Sequence, residues 1–268
     1  MPPSPPTRTL RARKRRRPAL RVALLRRFEF TVDGNPRELG RGPARVVALL
    51  ALDRPGLSRA AAASILTPHL DPASAASSLR TQLSRLRARA PADLVEDEQR
   101  WLRLASRATV DVPEVEALAA QLEGGAPPPP DVDVGERLSQ TLLPGWDADW
   151  LGPVRARLND RSLDALEMHA RDLWGRDDRD GAFVILHQML KAEPLREATV
   201  GLQLEIYRAQ WNRAKVARVF RAFEEQLRAT RGAEPSPELR ELVARLMGDG
   251  TPDPVQAARR QARAPWGG

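Results

Sequence analysis

The sequence predicts a mainly α chain with a small β component, an N-terminal winged helix-turn-helix followed by an all-α, tetratricopeptide-like helical domain. Three observations carry that prediction. Short alternating apolar runs are confined to the stretch before residue 105. Between them lies a helix with one apolar face and one basic face free of acids. From about Leu138 onward only helical periodicity remains, and it contains an internal repeat.

The 268 residues suffice for two domains with real cores, at roughly 100–200 residues each. We divide them into a disordered basic arm (1–18), the winged helix-turn-helix (19–112), a short helix with a Pro/Gly linker (113–135), the helical domain (136–248) and a disordered tail (249–268). The arm is Pro-rich and ends in Arg11-Ala12-Arg13-Lys14-Arg15-Arg16-Arg17-Pro18, with nothing to build a core.

From Leu20 the pattern changes. Leu20-Arg21-Val22-Ala23-Leu24 and Phe28-Glu29-Phe30-Thr31-Val32 alternate and are followed by the turn Asp33-Gly34-Asn35, so a small antiparallel sheet should open the domain. Gly42-Pro43 precedes Ala44 to Leu52, a mostly buried first helix closed by Pro55-Gly56. Ser58 can cap a second helix through about Leu66. Asp71 is a suitable N-cap for a third, Pro72 suits its first position, and Pro91 lies beyond its end. Leu94-Val95 and Trp101-Leu102-Arg103-Leu104 then flank Glu96-Asp97-Glu98-Gln99-Arg100 as a terminal hairpin. We expect Trp101 to be a core aromatic closing the sheet.

At about 100° per residue, Ala75, Leu79, Leu83, Leu86 and Ala90 share one stripe of the third helix. Ser77, Arg80, Thr81, Ser84, Arg85 and Ala88 lie opposite. Hydroxyls and guanidinium forks on an acid-free face match phosphates and base edges in a major groove, as a recognition helix requires. The other reading is an ordinary amphipathic helix with a solvated basic face. Sheet, three helices and hairpin is the order of a winged helix-turn-helix, and that context favours the recognition helix. The DNA-contact set is then Ser77, Arg80, Thr81, Ser84, Arg85 and Arg87 on the third helix, Arg45 on the first, and Arg100, Arg103 and Arg107 on the wing. Glu96, Asp97 and Glu98 argue against deep insertion of the hairpin.

Charge distribution agrees with this division. Of the 43 Lys and Arg, forty are Arg, which makes the total of +8 a weak guide because source-genome composition can favour Arg. Residues 1–112 carry 22 cations against 10 acids, a formal +12, whereas residues 113–250 carry 18 against 24, a formal −6. A basic front and an acidic back fit one module for a polyanion and another for a different partner. In the back half, Asp178 with Ala182, Leu186 and Leu190 before Pro194 matches Asn212 with Val216, Phe220 and Leu227. Ala182 and Val216 are 34 apart, the tetratricopeptide period. Stacked helix pairs of this kind offer surfaces for self-association or partners.

No constellation for catalysis is present. His69, His169 and His187 lack Zn spacing, Asp177-Asp178-Arg179-Asp180-Gly181 lacks the distal Glu of a calcium loop, and there is no Gly-rich phosphate loop. We expect no enzyme, no cofactor and no metal. The absence of Cys excludes disulfides, and no apolar run approaches the roughly 20 residues of a membrane span; the expected location is the cytoplasm, on the nucleoid when DNA-bound. The main alternative is a helical-repeat adaptor with a basic, non-specific nucleic-acid-binding front end. Aromatics of only 4% argue against a reader of single-stranded RNA.

Read together, the halves resemble the Streptomyces antibiotic regulatory protein (SARP) family, in which an OmpR-type winged helix precedes a bacterial transcriptional activator domain. In front, the resemblance lies in Leu20 to Val32, in Gly42-Pro43-Ala44-Arg45 and in the segment from Ser77 to Arg87. Behind, it lies in Leu143-Pro144-Gly145-Trp146-Asp147-Ala148-Asp149-Trp150 with Arg155 and Leu158, in Glu193-Pro194-Leu195-Arg196-Glu197, and in Gly232-Ala233-Glu234-Pro235-Ser236-Pro237-Glu238-Leu239. The chain departs from the family at three places: Leu66-Thr67 where a Trp is usual, Arg100-Trp101 where the wing has Gly-Tyr, and Trp211 where a Gly precedes the second repeat. The resemblance implies an activator that binds direct repeats near promoters as a pair of subunits and recruits RNA polymerase, including its sigma factor.

Overall fold

The computed structural model describes residues 18–98 and 100–248. Apart from Pro18, the expected basic arm and tail lie outside them. The chain forms two compact units, one of residues up to Leu118 with Gln140–Asp160, the other of Ala119–Ser139 with the residues from Arg161 on.

The first unit opens with β1 (Leu20–Ala23), β2 (Glu29–Val32) and β3 (Asn35–Pro36), continues through α1 (Arg41–Leu52), β4 (Leu57–Ser58), α2 (Arg59–Leu66) and α3 (Pro72–Arg87), then runs through β5 (Val95–Glu98), β6 (Trp101–Leu104) and β7 (Ala108–Val110) into α4 (Val112–Glu123), to which it contributes the residues up to Leu118. One sheet has the order β3-β2-β1-β7 and the other β4-β6-β5. In β1 the alternation buries Leu20 and Val22 and exposes Arg21. Leu20 faces Val32 across an antiparallel pair and Ala108 across a parallel one. The helices begin where the caps predict: Ser58 accepts the Ala61 N–H at 3.1 Å, and Asp71 accepts those of Ala73 and Ser74 at 3.0 and 3.1 Å.

Three features differ from the sequence reading. Trp101 is 58% exposed and closes no core. The reason is period two along β6: Leu102 and Leu104 are the buried pair, so Trp101 and Arg103 must point outward. Residues 108–110, where the sequence reading ends the hairpin with no further strand, pair with β1, and the short helix follows from Val112. Asp111, buried at this junction, accepts the Leu24 N–H through both carboxylate oxygens at 2.9 Å and the Leu25 N–H at 2.9 Å. Lastly, Leu142 forms an antiparallel bridge with Leu25, beyond the point where all strand pattern ends. The Leu143 N–H donates to the Leu24 carbonyl at 2.8 Å, and Trp146 packs on Phe28 with ring centroids 5.5 Å apart. Arg155 fixes this turn by donating to the carbonyls of Leu142 at 2.9 Å, Trp146 at 3.0 Å and Leu143.

The second unit is helical: α5 (Val134–Leu138), α6 (Leu151–Gly175, from Arg161 on), α7 (Arg179–Ala192), α8 (Glu197–Ala209), α9 (Arg213–Arg231) and α10 (Pro237–Met247). Its repeat is visible in the backbone. The Asp178 N–H donates to the Leu173 carbonyl and the Asn212 N–H to the Tyr207 carbonyl, both at 3.0 Å. Asp177 and Trp211 precede them at φ +68° and +62°, so each helix ends in a left-handed residue. Asp178 and Asn212 then cap the next helices by accepting the N–H groups of Gly181 and Lys215, each at 3.0 Å. Ala182 and Val216 are fully buried at equivalent places. The later motifs meet across this unit. Glu197 accepts the Ser236 N–H at 3.0 and 3.2 Å, while the Ser236 hydroxyl accepts the Leu239 N–H at 3.2 Å and caps α10.

Candidate nucleic-acid interface

Helix α3 presents the candidate surface. Ala75, Leu79, Leu83 and Leu86 are buried, and Ser77, Arg80, Thr81, Ser84, Arg85 and Arg87 are exposed, as the 3.6-residue period demands. Its first turn is fixed by Asp71, whose carboxyl is held below the ordinary carboxylate range by hydrogen bonds from the Ser74 hydroxyl and from the backbone N–H groups of Ser74 and Ala73. The helix contains no acid. Arg80 and Arg85 form no ion pair among the described residues, so their guanidinium groups are available to an incoming anion. The Thr81 hydroxyl donates to the Ser77 carbonyl at 3.1 Å and retains its acceptor capacity.

Not all the cations chosen from the sequence are equally available. On α3, Arg87 donates to Asp97 of β5 at 2.8 Å. The other oxygen of the same carboxylate accepts from Arg59 Nε at 3.0 Å, and Arg59 Nη2 reaches the first. On the wing, Arg103 pairs with Glu96 and lies 3.7 Å from Glu98, and Arg107 pairs with Asp93. Arg100 stands exposed at the hairpin tip with φ +96°, its carbonyl accepting the Arg59 N–H at 2.7 Å. Arg45 is half-buried on α1; with Gly42, Thr67, Ser78 and Gln82 it borders a cavity of about 110 Å³ between α1, α2 and α3.

Glu96, Asp97 and Glu98, expected in the hairpin loop, lie on β5 instead and have internal partners. Asp97 and Arg59 carry no local signal for this role, because their contact spans 38 residues. Among the described residues no group of His, Asp or Glu could hold a metal ion, and no helix is long and apolar enough to cross a membrane.

Comparison with known proteins adds two findings. Residues 136–247 match the family described as the bacterial transcriptional activator domain. The structure of Mycobacterium tuberculosis EmbR in complex with low affinity phosphopeptide shares the fold, with a TM-score of 0.67 and 20% sequence identity over 91% of this chain and 69% of that one. No curated protein matches the chain. The mainly α architecture with small sheets and a helical second half agrees with the expected fold class, and the matched domain bears out the resemblance to SARP-type regulators.

Proposed function

We propose that this chain, a transcription regulator of the SARP type, reads a specific duplex sequence through α3 and activates transcription from promoters beside it. The observation that carries the reading is the exposed, acid-free face of α3, where Arg80 and Arg85 stand unpaired beside Ser77, Thr81 and Ser84. Bidentate guanidinium contacts to guanine and hydroxyl contacts to bases or phosphates are the chemistry this face offers. Arg45 and Arg100 would hold flanking phosphates. Arg87 and Arg103 would join them only by giving up their carboxylates. Binding to direct repeats, pairing of subunits on DNA and recruitment of RNA polymerase through its sigma factor follow from the resemblance, with the helical unit as the contact surface.

The test is selection of bound duplexes from a random pool near physiological salt, with Arg80→Ala/Arg85→Ala run in parallel. A repeated motif lost in the variant supports the reading, each base contact contributing about 1–3 kcal/mol at one position. Salt-sensitive, sequence-blind binding by both proteins would refute it and favour the adaptor.

A further inference from the structure

The wing carboxylate Asp97 joins three elements at once: the first residue of α2, the last residue of α3 and strand β5. Its side chain is only 20% exposed, whereas those of Arg59 and Arg87 are 33% and 51% exposed. Both arginines therefore reach solvent beside the α3 face, and both are turned towards the wing by one acid. The hairpin cannot tilt against α3 without separating a charge-assisted pair. The short hydrogen-bonded contact with Arg59, followed by that with Arg87, also holds the Asp97 carboxyl below its ordinary range, so the anion persists throughout the neutral region.

We infer that Asp97 is a positioning residue for sequence selectivity: it fixes the wing against the end of α3 and keeps the Arg59 and Arg87 guanidinium groups off the DNA phosphates. The inference rests on the DNA-binding reading above. Sequence-independent affinity grows with each phosphate neutralised; arginines released from Asp97, with the wing no longer held at the end of α3, would raise it most on a duplex whose bases do not fix the position of α3. A carboxylate at this position restricts that contribution and leaves Arg80 and Arg85 as the free cations of α3.

The experiment measures the full chain, wild type and Asp97→Asn, on the selected duplex and on a scrambled one across a salt series, with thermal melting in parallel. Asp97→Asn is expected to bind the scrambled duplex more tightly, with a log–log salt slope steeper by up to about 1.8, that is about 0.9 for each of two phosphates gained. The ratio of specific to scrambled affinity should fall. An unchanged slope and ratio in a folded variant would overturn the inference. Should Asp97→Asn fail to fold, Arg59→Gln decides: a sequestered guanidinium predicts a wild-type slope on the scrambled duplex, and a slope lower by about 0.9 identifies a phosphate contact and overturns the inference. If the wild-type chain shows no preference between duplexes, the DNA-reading proposal fails and this one with it. A wild-type preference that Asp97→Asn leaves intact sinks only the present inference.

Discussion

Replacing Arg100 by Gly should stabilise the first unit while weakening its hold on DNA. The backbone at Arg100 has φ +96°, a region where a side chain costs about 1–2 kcal/mol relative to Gly. That conformation is held by the Arg59 N–H, which donates to the Arg100 carbonyl at 2.7 Å and ties the hairpin tip to the start of α2. Gly offsets part of the relief through the greater freedom of the unfolded chain, about 0.5–1 kcal/mol. The net gain is up to about 1.5 kcal/mol. Urea unfolding should report it as a raised midpoint with unchanged slope. The lost cation should lower the salt slope of DNA binding by about 0.9. Arg100→Ala supplies the control, since it removes the charge and keeps the strain: the same loss of slope is expected without stabilisation. A destabilised Arg100→Gly would refute the strain argument, and an unaltered slope in both variants would remove Arg100 from the contacts. The SARP resemblance places a Gly at this hairpin position, so Arg100 exchanges local backbone ease for a cation at the tip.

Other consequences can be measured separately. Asp111→Ala leaves the buried N–H groups of Leu24 and Leu25 without their acceptor, at about 1–3 kcal/mol each; Asp111→Asn keeps one carbonyl oxygen and should cost less, as denaturant midpoints will show. Glu197→Ala removes the charged acceptor of the Ser236 N–H and should destabilise the helical unit by about 1.5–3 kcal/mol, a figure that a Ser236→Ala/Glu197→Ala cycle would show to be non-additive with the α10 cap. Burial pushes the His169 imidazole down from its usual value. The unfolded chain takes up its proton near pH 6.5, about the value for a free imidazole, and the folded chain only at lower pH, so the unfolded state binds more protons in that window. Stability should fall as pH drops through it, and His169→Gln should flatten that dependence in unfolding titrations between about pH 7 and 5.

What was legible in the sequence follows from the range of the forces involved. The α3 stripe and its Asp71 cap are set by residues within a turn or two of one another, and period and capping chemistry suffice to find them. The 34-residue repeat was likewise visible through its buried positions. Its two left-handed residues, Asp177 and Trp211, explain why a Gly is usual at the second: the helix ending there needs a positive φ, and here Trp211 adopts it with its ring 69% exposed and Arg208 stacked at 5.1 Å. Trp101 is legible too, since Leu102 and Leu104 already claim the inward positions of β6. By contrast, β7, the Asp111 clamp and the Asp97–Arg59 pair depend on partners tens of residues away, up to 87 for Asp111. No local pattern encodes such contacts, and among the candidate cations only the folded chain separates Arg80 and Arg85 from the paired Arg87 and Arg103.

The strand-like pairing of Leu142 and Leu143 with Leu24 and Leu25 places residues 140–160 in the first unit, although they fall inside the stretch matched to the activator domain. Between them and the rest of that unit run residues 119–139, which belong to the other. The two units are therefore interleaved along the chain, each assembled from two separate segments. A single recombination event in the proline-rich stretch from Pro127 to Pro130, where one DNA-reading head would most readily be exchanged for another, would divide both cores at once. On the reading proposed for α3, new promoter preferences are then reached more readily by point changes on its exposed face than by trading whole heads, and a chimera would have to carry residues 140–160 along with its head.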